Sequence, residues 1–273
     1  MSIFLSHDTA LEHLRSPAAE RDFPLCYAAP RRDVPQGAAL ADAGLHAFGI
    51  HARPYHVLVA DAAARGKSRL VRSHVCAAAY PPGSFRRLAR DLYVSSPELC
   101  FLEAASILPF PKLIELGCFL CGTYYLDPQT GMMNGKQQLT TKAKLTLFLE
   151  SAGGSHGCAQ AAQALRFIAE GAASPYEAKL CLLLCLPTKQ GGYGFPFPAL
   201  NHCIRFAKRD RALFGHDHVV VDLYWEEAKV GIEYDGSAYH SDEEQLTRDR
   251  RKDSELSLRG ITLLRIDKRQ IQT

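Results

Sequence analysis

Asp222, Glu233 and Asp235 are residues whose types and spacing could do chemistry together. They lie within VVVDLYWEEAKVGIEYDGSAYH, Val219 to His240, in two short apolar runs that flank Glu226-Glu227. In the first run Val219, Val221 and Leu223 share one phase, and Asp222 and Tyr224 take the other. In the second, Val230, Ile232 and Tyr234 alternate with Gly231, Glu233 and Asp235. Period-2 alternation in runs rich in β-branched and aromatic residues predicts half-buried strands. A two-residue turn at Glu226-Glu227 would set Asp222 roughly opposite Gly231 and gather the carboxylates of Asp222, Glu233 and Asp235 on one face. Carboxylates so gathered repel one another and need a proton, a cation or open solvent. A hard divalent cation such as Mg²⁺ takes oxygen ligands, often one or two carboxylates plus substrate phosphates. The solvated outer face of an antiparallel hairpin has the same composition. The hairpin alone leaves both readings open.

The elements around it must place those side chains. Ser174-Pro175-Tyr176-Glu177 opens a helix: Ser174 suits the cap, Pro175 the first turn and Glu177 the third position of a capping box. That helix runs through Cys185 and ends at Pro187. Asn201 to Phe206 reads as a strand, and a charged helix from about Ser241 to Arg259 follows the hairpin. Gly260 ends it, and Ile261 to Ile266 is a last strand. From Ser174 onward the predicted order is helix, strand, strand, strand, helix, strand. The expected fold class is therefore α/β (α+β), with an αβββαβ core over 173–273.

Ahead of it, residues 1–90 read as a mixed α/β region, with strands at Tyr55–Val59 and Arg69–Val75 and a capped helix after Ser6. Arg69, Arg72, Arg86, Arg87 and Arg90 make this region basic, as a solvated face or a DNA- or partner-contacting one. Residues 91–172 read as a largely helical linking region. Ser95 or Ser96 caps a helix with Pro97 at its first position, and helical patterns follow at Lys112–Leu120, Thr140–Glu150 and His156–Glu170.

Composition bounds the partners. With 273 residues, 47% apolar and 22% charged, the chain is a soluble globular type with room for one large or two ordinary domains. A net charge of +3 permits nucleic-acid binding without demanding it. From Arg205 to Thr273 there are 13 Lys and Arg against 14 Asp and Glu, so any basic surface there must be local. No early stretch has the form of a signal peptide and no apolar run approaches ~18 residues, so a cytoplasmic protein without membrane contact is expected. The nine cysteines are irregularly spaced and read as reduced thiols. Cys118 and Cys121 lack the second pair that zinc would need.

The residues Ser174-Pro175-x-Glu177, Val221-Asp222-Leu223, Ile232-Glu233-Tyr234-Asp235-Gly236 and His240, with Asp249, Leu256, Gly260 and Leu264-Arg265, resemble the PD-(D/E)XK nuclease superfamily. More narrowly they resemble the endonuclease-domain family, a domain of unknown function, related to very-short-patch-repair endonucleases. The resemblance covers roughly Ser174 to Thr273 and implies a restriction-endonuclease-like core that hydrolyses phosphodiester bonds in DNA, in repair, restriction or phage defence. It implies that Asp222 and Glu233 hold Mg²⁺ (or Mn²⁺), and that Glu177 supplies a further carboxylate. His240 would act as acid or base or contact the phosphate. Arg248, Arg251 and Lys252 would meet DNA phosphates, or else balance the acidic residues of their own helix. The superfamily's usual lysine, two residues after the second acid, is Asp235 here, as in the narrower family's E-x-D-G form. Lys252 stands where that family more often has arginine. His56-Val-Leu-Val59, the basic residues leading to His74 and VSSPELCFLEAAS are more weakly similar to abortive-infection antitoxin-like proteins. That similarity implies a protein partner for the N-terminal region, and with it a non-catalytic regulator as the alternative function.

Overall fold

A computed structural model of the chain describes residues 2–26, 29–30, 40, 43–65, 68–76, 80–126, 133–235 and 243–271. The protein is of the α/β class, and the chain divides into two compact units, Met1–Ile168 and Ala169–Thr273.

The first unit contains β1 (Ile3–Leu5), α1 (His7–Leu14), β2 (Leu25–Cys26), β3 (Tyr55–Val59), β4 (Val71–Val75), β5 (Phe85–Ala89) and β6 (Leu92–Ser95). Then come α2 (Pro97–Ala105), α3 (Phe110–Leu120), the short hairpin β7 (Tyr124–Leu126) and β8 (Met133–Gly135), α4 (Lys142–Ser151) and α5 (Cys158–Leu165). Its main sheet runs β2-β5-β6-β1-β3-β4, with β1 parallel to β6 and β3 parallel to β4. Strands β5 and β6 straddle residue 90, so the mixed region and the helices after it share one unit. Ser96 caps α2 by accepting the Leu99 N–H at 3.3 Å, with Pro97 at the first turn. Ser6 is the first cap residue of α1 but makes no side-chain capping bond; its hydroxyl faces His7 Nδ1 at 3.0 Å instead. The helix expected over His156–Glu170 is only α5, because Gly157 at φ 86 starts it late.

This packing brings together histidines that are distant in sequence. The His7 ring stacks on His74 at 3.6 Å, and His74 Nε2 lies 3.2 Å from His56 Nδ1. Glu103 is buried beside them, accepting the His7 backbone N–H at 3.0 Å and the Ser95 hydroxyl at 3.1 Å. Burial, then the neighbouring imidazoles, lowers His7 to about 3 and His74 to about 4, and burial lowers His56 as well. Burial pushes Glu103 up to about 8. The signs oppose. The histidines contribute stability above about pH 6.5 that is lost as pH falls toward 4, because only the unfolded chain takes up their protons. Glu103 contributes stability at low pH that is lost as pH rises through its folded value. Below pH about 6.5 three imidazoles outweigh one carboxyl. The urea midpoint, followed by far-ultraviolet circular dichroism, is therefore expected to fall between pH 7 and pH 5, and His74→Gln to flatten that fall.

The second unit contains α6 (Pro175–Cys185), β9 (Ala199–Arg205), α7 (Lys208–Phe214), β10 (His218–Trp225), β11 (Val230–Asp235), α8 (Glu243–Ser257), β12 (Thr262–Asp267) and α9 (Lys268–Ile271). The expected order of elements is present, with α7 inserted between the first two strands. The sheet runs β12-β11-β10-β9; β9, β10 and β11 are antiparallel neighbours, and β12 lies parallel to β11. Ile204, Phe206, Phe214, Val219, Val221, Leu256 and Ile261 form its buried core. No helix among the described residues is long and apolar enough to cross a membrane.

The hairpin differs from the sequence reading in one respect. Its turn spans residues 226–229, with Lys229 at φ 51, and sets Tyr224 opposite Gly231 and Leu223 opposite Ile232. Asp222 is therefore not across from Gly231: the pairing ends at Leu223 and Ile232, and Asp222 meets the second strand through its side chain, which accepts the Tyr234 N–H at 2.9 Å. Gly231 is required by close approach: a Cβ there would lie 2.7 Å from Val221 Cγ1 and 3.0 Å from Leu263 Cδ1. Gly231→Val is expected to lower unfolding free energy by about 1–3 kcal/mol, measured by urea titration.

Candidate functional site

Glu177 is positioned by its own helix start. Ser174 Oγ accepts the Glu177 N–H at 3.0 Å, which begins α6 with Pro175 in the first turn. The Glu177 carboxylate then turns back, accepting the Ala173 N–H at 2.8 Å and the Asn201 side-chain amide at 2.9 Å. Asn201 sits at φ 48 on β9 and also donates to Gly171 O at 2.9 Å, so it ties the edge strand to the helix start. Glu177 is thus buried with its oxygens oriented.

Asp222 comes from β10. Its Oδ2 accepts the Tyr234 backbone N–H at 2.9 Å, so a side chain takes the place of a ladder bond as the two strands part. Burial pushes Asp222 up to about 6; the Glu177 and Glu233 carboxylates add to that, against the Tyr234 N–H and Lys252. Asp222 therefore feels the charge of both other acids.

Glu233 is the most heavily partnered of them. One carboxylate oxygen contacts Lys252 Nζ, and the other lies 3.6 Å from Arg265 Nε. The Lys252 ammonium, delivered by α8, also donates to Val220 O at 2.5 Å. Arg265 of β12 is held in turn by Asp253 at 2.7 Å. A lysine thus reaches the second acid from another element, although the position two residues along the strand is Asp235.

The remaining predicted residues are placed as follows. Asp235 lies opposite Asp267 in the parallel β11–β12 pair, next to Tyr234, whose ring stacks on Tyr176 at 4.8 Å and 6°. Arg251 is exposed but sets its Nε 2.9 Å from the buried Glu255, which also meets His216 at 2.9 Å. Arg248 is on α8, and the Lys252 ammonium lies on Glu233 and Val220 O. Gly236 and His240 lie outside the described residues. Sequence reading missed Asn201 and the roles of Arg265 and Lys252 as partners of Glu233. Lys252 is 19 positions from Glu233, and no local period links a strand residue to a helix residue at that distance.

The donor set was set against a divalent cation. Among the described residues no group of three or more His, Cys, Asp or Glu side chains is arranged to hold one. Asp222 and Glu233 supply two carboxylates on adjacent strands, and Asp222 is raised chiefly by its burial. Mg²⁺ commonly takes one or two carboxylates and completes its shell with water and phosphate. Carboxylates such as those of Asp222 and Glu233 are donors of the kind that mode uses.

No protein-family model, no curated protein and no solved structure matches this chain. The site must be read from its own chemistry. Glu233→Gln and Lys252→Met, made singly and together, are expected to show a coupling energy of about 1–3 kcal/mol in a double-mutant cycle of urea unfolding.

Proposed function

We propose that residues 169–273 form a divalent-metal-dependent nuclease domain of the PD-(D/E)XK type, hydrolysing phosphodiester bonds of DNA in the cytoplasm, in repair, restriction or phage defence. The observation that carries the proposal is the Lys252 ammonium on Glu233, in a site where Asp222 feels the charge of Glu177 and Glu233. It supplies from α8 the cation that the strand position of Asp235 lacks. Asp222 and Glu233 would hold Mg²⁺ or Mn²⁺, which when bound neutralises phosphate charge and lowers the pKa of an attacking water. Lys252 is a fixed positive charge for the oxygens of the phosphoryl group as water adds to phosphorus and the bond to the leaving oxygen breaks. Glu177, locked by Asn201 and Ala173, keeps negative charge behind Asp222 and so favours cation binding.

A second reading is favoured by the engagement of both Glu233 oxygens with Lys252 and Arg265. In it the same fold serves a non-catalytic DNA-binding or antitoxin-like regulator, with a protein partner on the first unit. Incubating the purified protein with plasmid, mismatched and single-stranded DNA plus Mg²⁺ or Mn²⁺ separates the two. Cleavage by the wild type, reduced at least about 100-fold in Glu233→Ala and in Lys252→Met, is the expected result. Equal nicking by wild type and Glu233→Ala sinks the nuclease proposal. Absence of cleavage, together with calorimetry showing no Mg²⁺ binding, selects the regulator.

A further inference from the structure

We infer that the β9 edge of the second unit is a track for a nucleic-acid strand with unpaired bases, which stack on Tyr193 and Phe195 while the backbone follows a basic groove beside β9. The inference rests on the nuclease reading of this unit and names the form of substrate it takes.

The loop between α6 and β9, residues 191–198, reads GGYGFPFP. Its backbone is pinned to the end of α6: the N–H groups of Tyr193, Gly194 and Phe195 donate to Leu183, Leu186 and Leu184 carbonyls at 3.0, 2.9 and 2.9 Å. Trp225 Nε1–H donates to Pro196 O at 2.7 Å. A Cβ on Gly192 would sit 2.1 Å from Leu186 O, so only glycine lets the loop lie so close. From this fixed frame Tyr193 and Phe195 stand 67% and 54% exposed, their rings 6.5 Å apart and 26° from parallel. Large rings held in water by a rigid backbone are ready for a flat partner and need little further ordering to bind it.

The loop leads into β9, where Ala199 lies opposite Tyr224 at the edge of the sheet. A groove of about 320 Å³ starts at β9 and reaches across Tyr224 to the hairpin turn, lined by His202, Arg205, Tyr224, Glu226, Lys229 and Arg259 among others. His202 stacks on Tyr224 at 5.1 Å and 20°. Arg259 lies over the Phe206 ring at 5.3 Å, donates to Arg205 O at 3.1 Å and is 4.0 Å from Asp210. The groove thus collects Arg205, Lys229 and Arg259 against Glu226 in its lining and Asp210 beside Arg259, in a segment with 13 basic and 14 acidic residues. Positive charge beside exposed rings complements a polyanion with exposed flat faces. Duplex DNA hides those faces, and an apolar protein surface has no use for the cations.

The test is fluorescence anisotropy of the full-length protein with a short labelled oligothymidylate and with a duplex of equal length, in EDTA so that neither metal nor cleavage enters. The single strand is expected to bind more tightly than the duplex. Tyr193→Ala/Phe195→Ala is expected to weaken single-strand binding by about tenfold or more and to leave duplex binding unchanged. Lys229→Glu is expected to weaken both and to reduce the salt dependence. Both rings are exposed, so circular dichroism of the double variant should match the wild type. Equal single-strand affinity of wild type and loop variant overturns the inference, as does a wild type that prefers duplex. So does a loop variant that loses only self-association in sedimentation, which would give the rings to a second copy of the chain. Ring-dependent binding without cleavage under Mg²⁺ supports the track and removes the nuclease reading. Cleavage with ring-independent binding does the reverse.

Discussion

Holding the partly buried Asp222 within the field of the Glu177 and Glu233 carboxylates is electrostatically unfavourable, and the rest of the second unit is arranged around that cost. Each acid meets it differently. Glu177 is stabilised by N–H donors, Asp222 by one backbone N–H and a raised proton affinity, and Glu233 by two side-chain cations. A partly buried ion pair is weak evidence for added stability, since desolvation offsets much of its attraction. It does restrict geometry. With Lys252 on both Glu233 and Val220 O, the rotation and register of α8 against the hairpin are set.

That restriction links the fold to its proposed chemistry. A cation introduced from a helix can approach Glu233 without occupying a strand position, and the strand position two residues on is then an acid, Asp235, in register with Asp267 of the parallel neighbour. The turn length then matters more than the turn sequence. The longer turn took Asp222 away from Gly231, and Gly231 became the place where Val221 and Leu263 close over the backbone.

The first unit follows a different rule. Its imidazoles are kept neutral by burial and by one another, and Glu103 is pushed up rather than paired with a fixed cation. Burial there favours uncharged forms, whereas the second unit retains charge and partners it.

Much of this was legible in the chain. Alternation in Val219–Trp225 and Val230–Asp235, the Ser174-Pro175-x-Glu177 start and the glycine after α8 identify elements by local rules, because period, caps and breakers act over a few residues. Short strands such as β1 and the helix α7 escaped, being too brief to show a period. The sequence by itself determined α6, β9, β10, β11, α8 and β12 of the second unit. Only the tertiary structure decided the turn length, the partners of Glu233, the Asn201 hold on Glu177 and the meeting of His7, His56 and His74. Each of these is a contact between residues far apart in the chain, set by packing and charge in three dimensions, and local periodicity carries no information about such contacts.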